Sequence, residues 1–158
     1  MVCGRGVPDM AGGLAGKFIV PTGCGSEIVR ECAHACVREG ARVAIVDRDL
    51  DATHRTAVEL RDDSIALEAD VYDGGMVRIG FSTVFHCLGR IDAVHHDVGI
   101  SSPSKARHET TEHEWDDLQR ANVKPVYWTT RFVFKALNAS QGCMAARSGP
   151  YAAISGRG

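Results

Sequence analysis

The feature that most constrains the fold is a regular alternation of short, β-rich apolar runs with longer stretches of helical periodicity. Apolar runs lie at 17–20, 41–46, 64–70, 91–94 and 151–154, and helical segments are expected over 26–40, 50–60, 73–89 and 111–137, with a loop at 138–149. Short apolar strands that alternate with helices are typical of a parallel sheet covered on both faces. Because such crossovers are right-handed, the sequence predicts an α/β fold with a doubly wound parallel sheet.

Local signals mark the ends of these helices. Gly40 follows the apolar stripe of the first helix and is expected to end it in the C-cap manner. Thr111 and Glu114 have the spacing of a capping box, in which each side chain satisfies a backbone amide. Pro125 lies inside the helix that this box opens, where proline costs about 3 kcal/mol unless the helix kinks.

Length and composition favour one ordinary globular domain. Residues 1–14 hold four glycines and one proline and are interpreted as a flexible leader, with the domain over 15–158. A net charge of −2 gives no reason to expect nucleic acid or an anionic membrane as a partner. The first residues lack the apolar region of a secretory signal. The six cysteines form no disulfide framework, which favours reduced thiols and a cytoplasmic location.

The first strand-to-helix turn is the expected ligand site. A helix N-terminus there presents free N–H groups to a phosphate, and glycines allow the backbone to come close. Asp47 ends the second strand, where a carboxylate can accept hydrogen bonds from a ribose diol.

Five segments in order then resemble the N-terminal part of the short-chain dehydrogenase/reductase family. They are LAGKFIVPTGCGSEI, REGARVAIVDRD, EADVYD, GRIDAVHHDVGIS and HETTEHEWDDLQRANVKPVYWTTR, which resemble the family's TGxxxGxG turn, second strand, third strand, NNAG strand and fourth helix. The resemblance implies a Rossmann-like sheet with strand order 3-2-1-4-5, incomplete relative to the family.

By this resemblance the activity would be hydride transfer between NAD(P) and a small alcohol or carbonyl compound. Asp47 would favour NAD by repelling a 2′-phosphate, and Arg48 beside it leaves NADP open. The cofactor contacts carried over are Thr22, Gly23, Gly25, Ser26, Ile28, Asp47, Asp70, Val71 and Gly99.

Several residues depart from the family pattern. Glu27 and Val29 stand at positions where the family's turn has glycines. At an effective dielectric constant of 20, a negative charge 4 Å from a phosphate repels it by about 4 kcal/mol, which lowers the affinity roughly a thousandfold. Cofactor binding is therefore expected to be weakened. Pro21 removes a hydrogen-bond donor from a strand expected at the centre of the sheet. NNAG has become His96-Asp97-Val98-Gly99.

The catalytic machinery shows the largest departure. The family places a Ser and a YxxxK pair after its fifth strand, whereas here Ser155 precedes the aligned position and no YxxxK follows. Tyr127 and Arg131 have that spacing only by coincidence. Asn122 aligns with the family's Asn and would serve either in a catalytic relay or as an amide that bonds the broken helix. The chain is thus expected to be a truncated, inactive reductase, with a nucleotide-binding or self-associating module, or a vestigial product, as alternatives.

Other polar groups favour structural roles. His108 and His113 are five apart rather than the four of a zinc helix, so no metal site is expected. Cys32 and Cys36 lie on the apolar helix face as core thiols, and His95 and His96 should point to opposite sides of their strand. An uncovered fifth strand and a helix with apolar Trp115, Leu118 and Val126 predict self-association.

Overall fold

A computed structural model describes residues 12–60, 64–100 and 107–147 of the chain. The strands are β1 (Phe18–Thr22), β2 (Arg42–Asp47), β3 (Ile65–Glu68), β4 (Ala93–His96) and β5 (Cys143–Ala146). The helices are α1 (Glu27–Arg38), α2 (Leu50–Leu60), α3 (Gly74–Leu88), α4 (Glu112–Asn122) and α5 (Lys124–Ser140), with a short 3-10 turn at Arg107–Glu109.

The five strands form one parallel sheet in the order β3-β2-β1-β4-β5, which confirms the predicted fold. Each face of the sheet carries its own apolar core. On one face α1 and α2 bury Val29, Ala33 and Leu60 against β1 and β2. On the other face α3 and α5 bury Phe81 and Val133 among others, so both faces are covered by helices.

Pro21 lies in the central strand after all. The backbone N–H and C=O groups of the odd-numbered residues in and beside β1 point towards β2. This follows from two hydrogen bonds at its ends, in which Arg42 N donates to Lys17 O and Gly23 N donates to Val46 O. The donor that Pro21 lacks therefore falls on the β2 side, where the pairing skips Val20 and Pro21 and resumes at Thr22. The strand keeps its register and its full pairing with β4.

The helix expected over 111–137 is in fact two helices, so this part of the prediction was wrong. The capping box is present, with Thr111 Oγ1 accepting from Glu114 N and the Glu114 carboxylate accepting from Thr111 N. The break falls at Val123, and Pro125 then lies in the first turn of α5. A proline is tolerated there because the first-turn amides have no partner within the helix.

The fifth strand of the described sheet is formed by other residues than expected. Residues 143–146, expected in a loop, form β5 beside β4, while 151–154 lie outside the described residues. Cys143 N donates to Asp92 O and Arg147 N donates to His96 O, which fixes β5 at both ends. The segment CMAA has no β-branched residue, so its β-propensity is weak and its sequence does not indicate a strand. It adopts the strand conformation because it pairs with β4.

Two further regions bear on the packing. Gly12 N and Gly13 N, placed by sequence in the leader, both donate to the Glu39 carboxylate. In α3, a Cβ on Gly74 would lie 2.8 Å from the Trp128 ring, so this glycine allows α3 and α5 to approach closely. Over the described part of the chain, none of the helices has the length and apolarity needed to cross a membrane.

Candidate functional site

A cleft opens at the carboxyl edge of the sheet, where β1 and β4 lie side by side and the chain order reverses. This is the point at which open parallel sheets bind ligands. The cleft has a volume of about 360 Å³. Its walls are the turn after β1, the end of β2 and the segments that follow β3 and β4, and they comprise Gly23, Gly25, Ser26, Val46, Asp47, Arg48, Asp49, Ala69, Asp70, Val71, Tyr72, Asp97, Val98, Gly99 and Ile100.

The turn after β1 is built on a glycine that no other residue could replace without strain. Gly23 has φ +94°, and a Cβ there would lie 2.6 Å from Asp97 O. Ser26 caps α1: its hydroxyl accepts from Val29 N at 3.4 Å and donates to Gly23 O at 3.0 Å. The turn therefore brings bare backbone and a helix N-terminus to the cleft, as a phosphate requires.

Asp47 holds this turn from the neighbouring strand. One carboxylate oxygen accepts from Gly25 N at 2.8 Å, and the other accepts from Asp49 N at 2.9 Å. A carboxylate offers about four lone-pair sites, so each oxygen keeps one for a further donor such as a ribose hydroxyl.

The third wall follows β3. The Asp70 carboxylate accepts from Tyr72 N at 2.9 Å, and Val71 is buried. Partial burial raises the pKa of the Tyr72 phenol, an effect that nearby Arg48 opposes and Asp70 reinforces. The wall thus combines an apolar surface with a fixed carboxylate.

The structure brings most of the predicted cofactor positions together. Seven of the nine line the cleft, namely Gly23, Gly25, Ser26, Asp47, Asp70, Val71 and Gly99. Thr22 is fully buried beneath the turn, and the Ile28 side chain is 57% exposed on α1, so neither lines it.

The two departures in the turn have different consequences. Val29 is fully buried in the core beneath α1, so its branched side chain is accommodated by the packing. Glu27 is exposed at the first position of α1. Its charge therefore interacts with the cleft largely through water, where repulsion between charges 4 Å apart falls to about 1 kcal/mol.

Asn122, at the end of α4, bonds the segment that follows β4. Its amide oxygen accepts from Ile100 N at 2.8 Å, and its amide nitrogen donates to Ile100 O at 3.1 Å. This bidentate contact fixes the wall of the cleft at Ile100. Ser155 lies outside the described residues.

The coincidental tyrosine motif lies away from the cleft. Arg131 Nη1 donates to the Tyr127 hydroxyl at 2.8 Å on the exposed side of α5, and neither residue lines the cleft. Within the described ranges, no three His, Cys, Asp or Glu side chains are grouped closely enough to hold a metal ion.

His96 is a site residue whose role sequence reasoning missed. It is fully buried, and its Nδ1 lies 3.1 Å from Thr22 Oγ1 and 3.3 Å from Thr129 Oγ1. Burial, with a smaller effect of His95, lowers its pKa to about 4, so the ring is neutral and hydrogen-bonds to the two hydroxyl groups through Nδ1. His96 therefore connects the turn after β1 to α5. The period-2 alternation of β4 was the signal that could have placed it on the α5 side.

Comparison with known proteins identifies the family. The sequence model of the short chain dehydrogenases matches residues 17–146. The chain belongs to the short chain dehydrogenase family. It is 33% identical to rabbit (Oryctolagus cuniculus) L-fucose dehydrogenase over 81% of this chain and 45% of that protein. It is 32% identical to sorbitol dehydrogenase of Cereibacter sphaeroides over 80% of this chain and 49% of that protein.

A solved relative shows the same architecture with a cofactor. The 3-ketoacyl-(acyl-carrier-protein) reductase of Brucella melitensis, determined in complex with NADH, superposes with a TM-score of 0.73 at 29% identity, covering 78% of this chain and 50% of that one. The present short chain dehydrogenase sequence thus spans about half the length of the curated relatives it matches.

Proposed function

We propose that these 158 residues form the nucleotide-binding part of an oxidoreductase that uses a nicotinamide dinucleotide and acts on a small alcohol or carbonyl compound. The observation that carries the proposal is the cleft itself, which gathers the turn glycines, the capped N-terminus of α1 and the carboxylates of Asp47 and Asp70 at the switch point of the sheet. The NADH-bound relative supports the assignment of the ligand. When bound, the nicotinamide would accept or deliver the hydride.

Asp47 makes NAD the preferred cofactor. Both of its oxygens are fixed by backbone amides, so the carboxylate cannot swing away from a 2′-phosphate placed beside it. Arg48 also lines the cleft and would offset part of this repulsion. Asp47→Asn keeps the shape of the side chain and removes its charge. We expect this variant to lower the ratio of the affinity for NAD to the affinity for NADP.

Hydride transfer needs a general acid or base that this sequence does not supply in the family's form. No tyrosine of the 158 residues is followed four positions later by lysine. We therefore propose that these 158 residues by themselves bind the dinucleotide without appreciable turnover. The free thiols of the described residues also favour a cytoplasmic location.

Titration calorimetry with NAD+ tests the binding. We expect heat of binding from the 158-residue protein and about fivefold tighter binding by Glu27→Gln, because removing a charge in water relieves about 1 kcal/mol of repulsion. Glu31→Gln is the matched control, since Glu31 is exposed one turn further along α1.

Two results would refute the proposal. One is the absence of NAD+ binding by both the parent chain and Glu27→Gln when circular dichroism shows both to be folded. The other is protein-dependent NADH formation with a secondary alcohol, which would contradict the absence of turnover. If Asn122→Ala abolished this activity, Asn122 would act in the catalytic relay rather than only as a structural amide.

A further inference from the structure

The cleft at the carboxyl edge of the sheet carries an excess of negative charge. Its walls hold the carboxylates of Asp47, Asp49, Asp70 and Asp97 together with the guanidinium of Arg48. A dinucleotide brings a negatively charged diphosphate into such a site, and like charges repel each other. Each carboxylate therefore weakens the binding of this ligand unless a neighbouring group, or a hydroxyl of the ligand itself, offsets its charge.

Asp97 differs from the other carboxylates of the cleft in its partner. The carboxylates of Asp47, Asp49 and Asp70 each accept at least one hydrogen bond from a backbone amide. Over the described part of the chain, no backbone amide donates to the Asp97 carboxylate. Its charged partner there is Arg147, with Asp97 Oδ2 3.9 Å from Arg147 Nη1.

Asp97 lies against the turn after β1, which is the part of the cleft suited to a phosphate. Asp97 N donates to Thr22 O at 3.4 Å, and a Cβ on Gly23 would lie 2.6 Å from Asp97 O. The Asp97 side chain is only 15% exposed, so water screens its charge less than it screens the charge of exposed Glu27. Asp97 thus places a weakly screened negative charge beside this turn.

Arg147 approaches Asp97 from the neighbouring strand. It directly follows β5, and its backbone N donates to His96 O at 2.7 Å, which fixes the base of the side chain beside the end of β4. The Arg147 side chain is half exposed, and Arg147 does not line the cleft itself. Its charge therefore reaches the cleft through its pairing with Asp97.

We propose that Arg147 is a positioning residue for dinucleotide binding, which holds the Asp97 carboxylate and offsets its charge so that the turn after β1 can accept a diphosphate. The inference rests on the proposed function, because it concerns the same cleft and the same ligand. Asp97 stands at the second position of the NNAG pattern, where the family has an uncharged Asn. The pair thus compensates for a charge that the family's pattern lacks.

Titration calorimetry with NAD+ on the 158-residue protein tests the inference. We expect Arg147→Met to weaken binding about tenfold, because it leaves the partly buried Asp97 charge unpaired. Arg147→Lys keeps the positive charge and should bind within about threefold of the parent chain, since a single point charge is sufficient to offset Asp97. In about 1 M NaCl the difference between Arg147→Met and the parent chain should shrink, because charges are then screened over about 3 Å.

Asp97→Asn separates the electrostatic role of Arg147 from a structural one. We expect this variant to bind NAD+ at least as tightly as the parent chain, and the double variant Asp97→Asn/Arg147→Met to recover most of the affinity that Arg147→Met loses. A loss caused by a displaced β5 would persist in the double variant. Circular dichroism checks that each variant is folded.

A second ion pair of the chain provides the matched control. Asp117 and Arg120 lie 3.3 Å apart on the exposed side of α4, away from the cleft. Asp117→Asn and Arg120→Met make the same chemical changes and should leave the affinity for NAD+ unchanged.

Three results would overturn the inference and leave the proposed function intact. They are NAD+ binding by Arg147→Met equal to that of the parent chain, a loss in Arg147→Met that Asp97→Asn does not restore, and weaker binding by Asp97→Asn than by the parent chain. The last result decides the case even if Arg147→Met fails to fold. Absence of NAD+ binding by both the folded parent chain and Glu27→Gln would instead refute the proposed function, and this inference with it.

Discussion

Neighbouring histidines of β4 have different environments because strand side chains alternate between the two faces of the sheet. His95 lies on the α1 side and is partly exposed, whereas His96 on the α5 side is fully buried. The buried ring joins Thr22, at the base of the turn after β1, to Thr129 on α5. The packing beneath the turn therefore depends on an uncharged His96, because burial disfavours the imidazolium.

This dependence predicts acid sensitivity between about pH 6.5 and pH 4. Burial depresses the pKa of His96 in the folded state to about 4, so the unfolded chain binds more protons in this window and stability falls as pH falls. A shift of about 2.5 pKa units corresponds to roughly 3 kcal/mol. We expect urea denaturation to show a loss of this order on acidification, and His96→Asn to remove most of it.

His54→Asn is the control for this measurement. His54 is exposed on α2, so its replacement should leave the pH dependence unchanged. If the free energy of unfolding fell equally on acidification in the parent chain and in His96→Asn, the acid sensitivity would come from other groups.

The site shows which residue roles are readable from sequence. Gly23 and Asp47 could be placed because each follows an apolar run, and the ends of parallel strands meet at one edge of the sheet. The contact of His96 with Thr129 could not, since it depends on how α5 packs on β4. The exposure of Glu27 could not be read either, and it sets how strongly water screens the charge of this side chain.

At the scale of elements, the break before α5 explains a proline that seemed costly. Pro125 is buried in the first turn of α5, where its missing N–H group costs the helix no hydrogen bond. We therefore expect Pro125→Ala to change the free energy of unfolding by no more than about 1 kcal/mol, rather than to gain the roughly 3 kcal/mol expected if proline interrupted a continuous helix. Urea denaturation measures the difference, and a gain near the larger value would contradict the two-helix arrangement.

The docking of β5 depends on the glycine that precedes it. A Cβ on Gly142 would collide with the carbonyl oxygen of Asp92, which accepts from Cys143 N. We expect Gly142→Ala to lower the free energy of unfolding by about 2–3 kcal/mol through overpacking. Gly89→Ala is the control: Gly89 has open space and φ +74°, so it should lose only the roughly 1 kcal/mol cost of a left-handed conformation. Equal losses in the two variants would exclude the collision.

At the scale of the whole molecule, the predicted topology was right, although one expected helix is two helices and the fifth strand is formed by other residues than expected. Apolar runs and helical stripes alternate strongly through the first four strands, and right-handed crossovers leave few ways to order them. The sequence did not indicate β5 because Cys143–Ala146 contains no β-branched residue, and its strand conformation depends on pairing with β4. The local sequence pattern therefore predicts the elements that form the core. It does not predict β5 at the edge of the described sheet, because that strand depends on long-range contacts.

The exposed apolar groups favour self-association through the helices. Trp115 is 55% exposed on α4, and Tyr127 and Phe134 are 51% and 63% exposed on one side of α5, seven residues apart. Within the described residues β5 is an edge strand, yet its exposed side chains are small, so edge pairing would bury little apolar surface.

Sedimentation velocity over a range of protein concentrations tests this expectation. The parent chain should sediment increasingly as a dimer as concentration rises, and Tyr127→Glu with Phe134→Glu should restore the monomer, because two carboxylates would lose hydration in the interface. Ala145→Lys, which places a charge on the edge strand, should leave the association unchanged. A monomer at every concentration would refute self-association, and a monomer produced by Ala145→Lys alone would move the interface from the helices to β5.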